Sequence, residues 1–219
     1  MNKVQAIYDK LYETYGAQGW WPYIKSGYHP LDYGFDKSQE QIFEICLGVI
    51  LTQNTTFTSV VKSLQNLEKL NALDYKSIKE LPLETLKESI RPSGYFNQKS
   101  LYILEFIAFF EGLEGRVPAR EELLHVKGIG EESADSILLY GYNQPEFVID
   151  AYTKRLFIHL GLVDEKVKYK ELKEFITSHL HVEGEHRRII VFQEYHALIV
   201  EHAKRYYSKK PYGNGCFLL

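Results

Sequence analysis

The chain has 219 residues, room for one large domain or two small lobes, and its 45% hydrophobic and 25% charged content is ordinary for a globular protein. A formal net charge of −3 does not mark the chain as a nucleic-acid binder, so any contact with nucleic acid must come from local geometry and a few placed cations. No apolar run approaches the roughly 20 residues of a membrane span, no leader pattern stands at the N-terminus, and two cysteines, Cys46 and Cys216, cannot build a disulfide framework; a cytoplasmic monomer is expected.

Helical periodicity dominates, with no alternating strand or Asn-Gly hairpin between apolar runs, and predicts an all-α fold. The spacing predicts helices over about residues 2–15, 39–52, 56–71, 75–80, 83–91, 97–112, 119–125, 131–142, 150–161, 168–180 and 187–207. Ser38 and Gln41 form a capping-box pattern ahead of the second helix, Pro82, Pro92 and Pro118 punctuate the middle, and Gly161 ends the helix after Asp150. Residues 16–37 form a long non-helical segment rich in Gly, Pro and aromatics, and long ordered loops are often functional. The chain carries 17 Tyr, a content that fits either base stacking or ordinary core and surface use. The tail from Ser208 reads as irregular.

Gly128-Ile129-Gly130 stands between two helical patterns, with Leu123, Leu124 and Val126 before it and Ala134, Ile137 and Leu138 after it. Such a turn needs glycine for positive φ and for close approach of another backbone. The N–H groups of Gly128, Gly130 and the helix beginning near Glu131 can then hold one DNA phosphate, with Lys127 and Ser133 beside them and Ile129 packing the turn down. A plain helix–helix turn is the alternative. One helix further on, Asp150 is either an N-cap for the helix from Ala151, a carboxylate that acts on chemistry, or both.

These motifs occur in order with Ile50-Leu51-Thr52-Gln53-Asn54-Thr55, Arg91-Pro92-Ser93-Gly94-Tyr95-Phe96-Asn97-Gln98-Lys99 and His202-Ala203-Lys204. From about residue 40 onward the series resembles the helix–hairpin–helix DNA glycosylases of the endonuclease III superfamily. The resemblance implies a two-lobed helical fold with the active site in the cleft between lobes. One lobe would span about residues 39–145 and end in the helix–hairpin–helix at 119–142; residues 1–38 and 146–219 would form the other. It also implies a partner, double-stranded DNA with a damaged base, and a chemistry, extrusion of that base and hydrolysis of its N-glycosidic bond with Asp150 as the acid.

Further roles follow from the same resemblance. Gln53 and Asn54 correspond to the loop that fills the gap left by the extruded base, a buried amide pair being the alternative. Lys99 is a candidate phosphate contact and Lys204 a candidate pocket contact, or both are simply solvated. Family members that nick the strand carry a lysine nucleophile where this chain has Glu132; glutamate cannot form a Schiff base, so no lyase activity is expected. Glu132 also suits the first turn of a helix. The family often ends in four cysteines holding a [4Fe–4S] cluster, and here Tyr207 and Gly213 stand near the first two positions with Cys216 at the third. One thiolate cannot hold such a cluster, so no metal and no cofactor are expected.

The adenine-mismatch branch has a glutamate five residues before its wedge, where this chain has Val49. Together with the absent lyase lysine, the Trp20-Trp21-Pro22 run and the lost cysteines, this looks most like the bacterial 3-methyladenine glycosylases of the superfamily, whose cationic substrates leave readily and suit an aromatic pocket. Trp20, Trp21, Phe43 and Phe57 are the candidates to stack on the base; for the Trp pair, a hydrophobic clasp on the N-terminal loop is the alternative. Two other readings stand beside the alkylpurine one: a glycosylase for oxidised or mismatched pyrimidines, and a non-catalytic module that binds DNA structures.

Overall fold

The computed structural model describes residues 2–218, and its elements are helices: α1 (Lys3–Tyr15), α2 (Gln39–Thr52), α3 (Phe57–Lys69), α4 (Tyr75–Glu80), α5 (Leu83–Ile90), α6 (Phe96–Gly112), α7 (Arg120–His125), α8 (Glu131–Ser136), α9 (Ala151–His159), α10 (Tyr169–Ser178) and α11 (Glu185–Tyr206). Among the described residues the only β feature is an isolated bridge between Tyr23 and Gly27. The predicted helix over 131–142 keeps its span but widens after α8 into a π turn, Ile137–Gly141, where Tyr142 N–H reaches the Ile137 carbonyl at 3.2 Å.

The chain divides into two compact units. One comprises Trp21–Gly27 and Gly34–Asn143 and contains α2 to α8 and the π turn. Its axis is α2, where every residue from Ile45 to Leu51 is buried. That explains a run too uniformly apolar to show one face: the helix is enclosed on all sides. The Ser38–Gln41 capping box closes its N-terminus. Trp21 packs against α2 at Gly48, where a Cβ would lie 3.0 Å from the indole nitrogen; only glycine leaves that space without a shift.

The other unit comprises the residues up to Trp20, Tyr28–Tyr33 and those from Gln144 on. Its axis is α11, on which α1 and α9 pack. The Tyr195 hydroxyl donates to the Val4 carbonyl at 2.9 Å, and its ring meets Tyr8 and Phe147 edge-on. Buried Glu194 accepts from Gln18 N–H at 2.9 Å and from the Tyr33 hydroxyl, which fastens the long loop to α11. The loop ahead of α2 is shared out, with Trp21–Gly27 and the residues from Gly34 in one unit and Tyr28–Tyr33 in the other.

Candidate active site

The hairpin is built around one glycine. Gly128 has φ +91°, and a Cβ there would lie 2.3 Å from Cγ of Tyr102, well inside the ring's van der Waals surface. Gly130, by contrast, has an ordinary φ of −98°, caps α8 and faces open space. Conformation thus demands glycine only at Gly128; at Gly130 the missing side chain leaves the N-terminus of α8 approachable. Ile129 is buried, as its packing role requires, while Lys127 and Glu132 are exposed. The two helices are clamped by an ion pair that spacing does not reveal: Arg120 Nε reaches Asp135 Oδ1 at 2.7 Å, and Asp135 is fully buried.

The Gln53–Asn54 turn is latched to this hairpin. Gln53 Nε2 donates to the Gly128 carbonyl at 2.8 Å and to Ser133 Oγ at 3.1 Å. Ser133 is therefore buried under Gln53 rather than presented to solvent. Asn54 is exposed, with φ +53°, at the tip of the turn. The two amides thus have different fates, the first a fastener and the second a projecting group.

Lys99 needs a correction. It is buried, and its ammonium donates to the Leu51 and Ser93 carbonyls, both at 2.7 Å, so it is not aimed at phosphate. It ties the end of α2 to the turn before α6, and burial draws its pKa down to about 8. Next to that strap, Tyr95 is left-handed at φ +46° and 67% exposed.

Two aromatic assignments also change. Phe43 is core, wedged edge-on against Tyr75 and Phe110 at 5.8 and 5.4 Å. Trp21 meets Phe57 at 5.8 Å and Tyr140 at 5.5 Å, so it is the clasp of the α2 unit, with half-buried Phe57 as its outer wall. Trp20 goes elsewhere. It packs against Tyr28 at 6.5 Å and edge-on to His196 at 6.4 Å, with the Lys204 ammonium 5.5 Å from its ring centre. Lys204 is exposed and lies 3.7 Å from Glu201.

Asp150 is the N-cap of α9. Its Oδ1 accepts from both the N–H and the hydroxyl of Thr153 at 2.7 Å, which consumes that oxygen and fixes the carboxylate plane. Oδ2 turns toward Nε2 of His196 at 3.9 Å, and the side chain is only 14% exposed. Burial pulls the His196 imidazole below its usual range, and the Asp150 carboxylate pushes it back up; burial prevails. The arrangement is a rigid carboxylate with one oxygen engaged, the other oriented toward an imidazole, and an indole packed on that imidazole.

A family model for HhH-GPD superfamily base excision DNA repair proteins matches residues 47–180, a stretch that contains the hairpin and Asp150. The chain belongs to the HhH-GPD superfamily. A candidate DNA repair glycosylase of Methanocaldococcus jannaschii is 36% identical to it over 97% of this chain and 92% of that protein. The H. pylori 3-methyladenine DNA glycosylase MagIII, solved with 1,N6-ethenoadenine bound, is 28% identical with a TM-score of 0.70, covering 93% of this chain and 98% of that one. A non-covalent endonuclease III–DNA complex reaches a TM-score of 0.73 at 18% identity, over 98% of this chain and 91% of the other, and shows the shared fold.

In this HhH-GPD chain the tail is held by polar contacts around Cys216. Cys216 Sγ lies 3.2 Å from Nε2 of His202 and accepts from the Tyr207 hydroxyl at 3.4 Å, while the Tyr15 hydroxyl meets Nδ1 of His202 at 3.0 Å. All of these groups except half-buried Tyr15 are buried, and burial holds His202 down at about 4. The sequence reading missed His196, Arg120 and Asp135. The signal available for His196 was its place on the apolar side of the last helix, where histidine reads equally well as core.

Proposed function

We propose that this chain is a DNA glycosylase without lyase activity that extrudes a damaged base and hydrolyses its N-glycosidic bond, with alkylated purines such as 3-methyladenine as substrates. The observation that carries this reading is Asp150, with Oδ1 spent on the helix cap and Oδ2 facing a largely enclosed corner beside His196. Cleavage of the glycosidic bond builds positive charge on the sugar, and a fixed carboxylate stabilises that charge or takes a proton from water. Purines alkylated at N3 or N7 are already cationic and leave as neutral bases, so one carboxylate suffices. The likeness to the H. pylori enzyme, named for 3-methyladenine, supports the same substrate class. Lys127 and the N–H groups around Gly128 and Gly130 would hold the DNA backbone, and exposed Asn54 would fill the space left by the base. Glu132, exposed where the lyase lysine would stand, supports the absence of Schiff-base chemistry.

A [4Fe–4S] cluster does not fit this chain. It needs four thiolates; the tail offers Cys216 alone, and that sulfur is engaged by Tyr207 and His202. No step runs through such a group. A second substrate reading has one observation in its favour. The Lys204 ammonium over Trp20 disfavours a permanently cationic base stacked there and favours an uncharged one such as an oxidised pyrimidine.

The test is incubation with duplexes carrying 3-methyladenine, 1,N6-ethenoadenine, an oxidised pyrimidine or a mismatch, followed by alkali to cut abasic sites. Release confined to alkylated purines supports the reading; release confined to pyrimidines replaces it with the second; binding without release of any base refutes both. Strand cleavage before alkali together with a borohydride-trapped adduct refutes the absence of lyase chemistry.

A further inference from the structure

His196 lies 46 positions from Asp150 in sequence, is buried in α11, and holds Nε2 at 3.9 Å from Asp150 Oδ2. That separation is too long for a direct hydrogen bond and suited to a shared water. A water oxygen about 2.8 Å from each atom closes the triangle with an angle of about 90°, near the angle between the two O–H bonds of a water molecule. With Asp150 Oδ1 saturated by Thr153, Oδ2 is the acceptor left for such a water. Trp20 packs edge-on against the imidazole and limits its rotation.

We propose that His196 is a positioning residue which, with Asp150, seats the water that attacks the sugar. The water donates one hydrogen to Oδ2 and the other to Nε2, so its lone pairs face away from both groups, toward C1′ of the bound nucleotide. In the reaction the water oxygen bonds to C1′ and its proton passes to Asp150 Oδ2. The C1′–N bond breaks and its electron pair leaves with the base, which departs neutral if it was cationic. His196 takes no proton; it fixes the direction of attack and so contributes to rate rather than to DNA affinity. A buried imidazole that stays neutral suits this acceptor role.

The inference rests on the reading of Asp150 as the reacting carboxylate, and the variants keep the two apart. Single-turnover release and duplex affinity are measured for the wild type and for Asp150→Asn, His196→Phe, His196→Asn and His196→Gln on the duplex the wild type processes best. His196→Phe and His196→Asn, whose amide falls one methylene short, should slow release about 10- to 100-fold with affinity unchanged. His196→Gln, whose terminal amide reaches the Nε2 position, should stay within about fivefold of wild type. Thermal melts identify any variant that fails to fold, and the Asn–Gln comparison decides the matter even if Phe does not fold. If Asp150→Asn still releases base, the reading of Asp150 falls and this inference with it. If Asp150→Asn is inactive while His196→Asn keeps the wild-type rate, or His196→Gln is as slow as His196→Asn, only the role of His196 is overturned.

Discussion

Replacing Gly128 by Ala puts a methyl group into the ring of Tyr102 and forces an L side chain into φ +91°. The conformational part costs about 1–2 kcal/mol, the usual penalty for a left-handed L residue. The clash involves Cγ, Cδ1 and Cδ2 at 2.3 to 2.6 Å, atoms close to the Tyr102 backbone, so the ring must change rotamer or the hairpin must lift. Overpacking of that kind costs a further 1–3 kcal/mol or so, which gives a total of about 3 kcal/mol. For a chain of this length that corresponds to a fall in Tm of roughly 6–12 °C. Urea denaturation and thermal melts of Gly128→Ala, Tyr102→Ala and the double variant separate the parts. Measured against Tyr102→Ala, the double variant has no clash and should show only the conformational cost. A Gly128→Ala protein within about 0.5 kcal/mol of wild type, or a double variant whose loss equals the sum of the singles, would refute the argument.

Three other outcomes follow from described contacts. Arg120→Ala leaves the buried Asp135 carboxylate short of its main cation and should cost about 3 kcal/mol in urea, with Arg120→Lys restoring only part because it lacks the guanidinium fork; an unchanged midpoint for Arg120→Ala would count against the clamp. Lys99 sits near 8 when folded against about 10.4 unfolded, so in that window the unfolded chain holds the proton and stability rises with pH. Lys99→Met should lose that rise, seen as a flatter change in urea midpoint between pH 8 and 10; equal slopes in the two proteins would refute it. His202 is held near 4 against about 6.5 unfolded, so its contribution is present above 6.5 and is lost as pH falls toward 4. His202→Gln should therefore lose less stability than wild type over that acid range, and identical acid profiles would show that His202 is not the group responsible.

Much of the architecture was open to sequence reading because it rests on local rules. Helix positions follow periodicity, the α2 start follows the Ser38–Gln41 pair, and Asp150 sits where a cap belongs. The parts that were not legible depend on contacts between distant positions. Lys99 reads as solvated from its neighbours alone, since nothing local says that Leu51, 48 positions away, will close over it. Gln53 is joined to Gly128 across 75 positions, and His196 to Asp150 across 46. Trp20 and Trp21 look equivalent in sequence, yet one meets His196 and the other Tyr140. Pattern identifies a residue's face; it does not name the partner on that face.

The pairing of α1 with α11 carries a consequence for how the protein comes into being. Val4 and Tyr195 are bonded across 191 positions, and the helix opened by Asp150 packs on the same α11. Contacts of such long sequence separation form late and slow folding. During synthesis the α2–α8 unit is complete once Asn143 has emerged and is free to collapse on the ribosome. The unit holding Asp150 has no axis until α11 is made, so the nascent chain completes the hairpin before the Asp150 carboxylate is held in place.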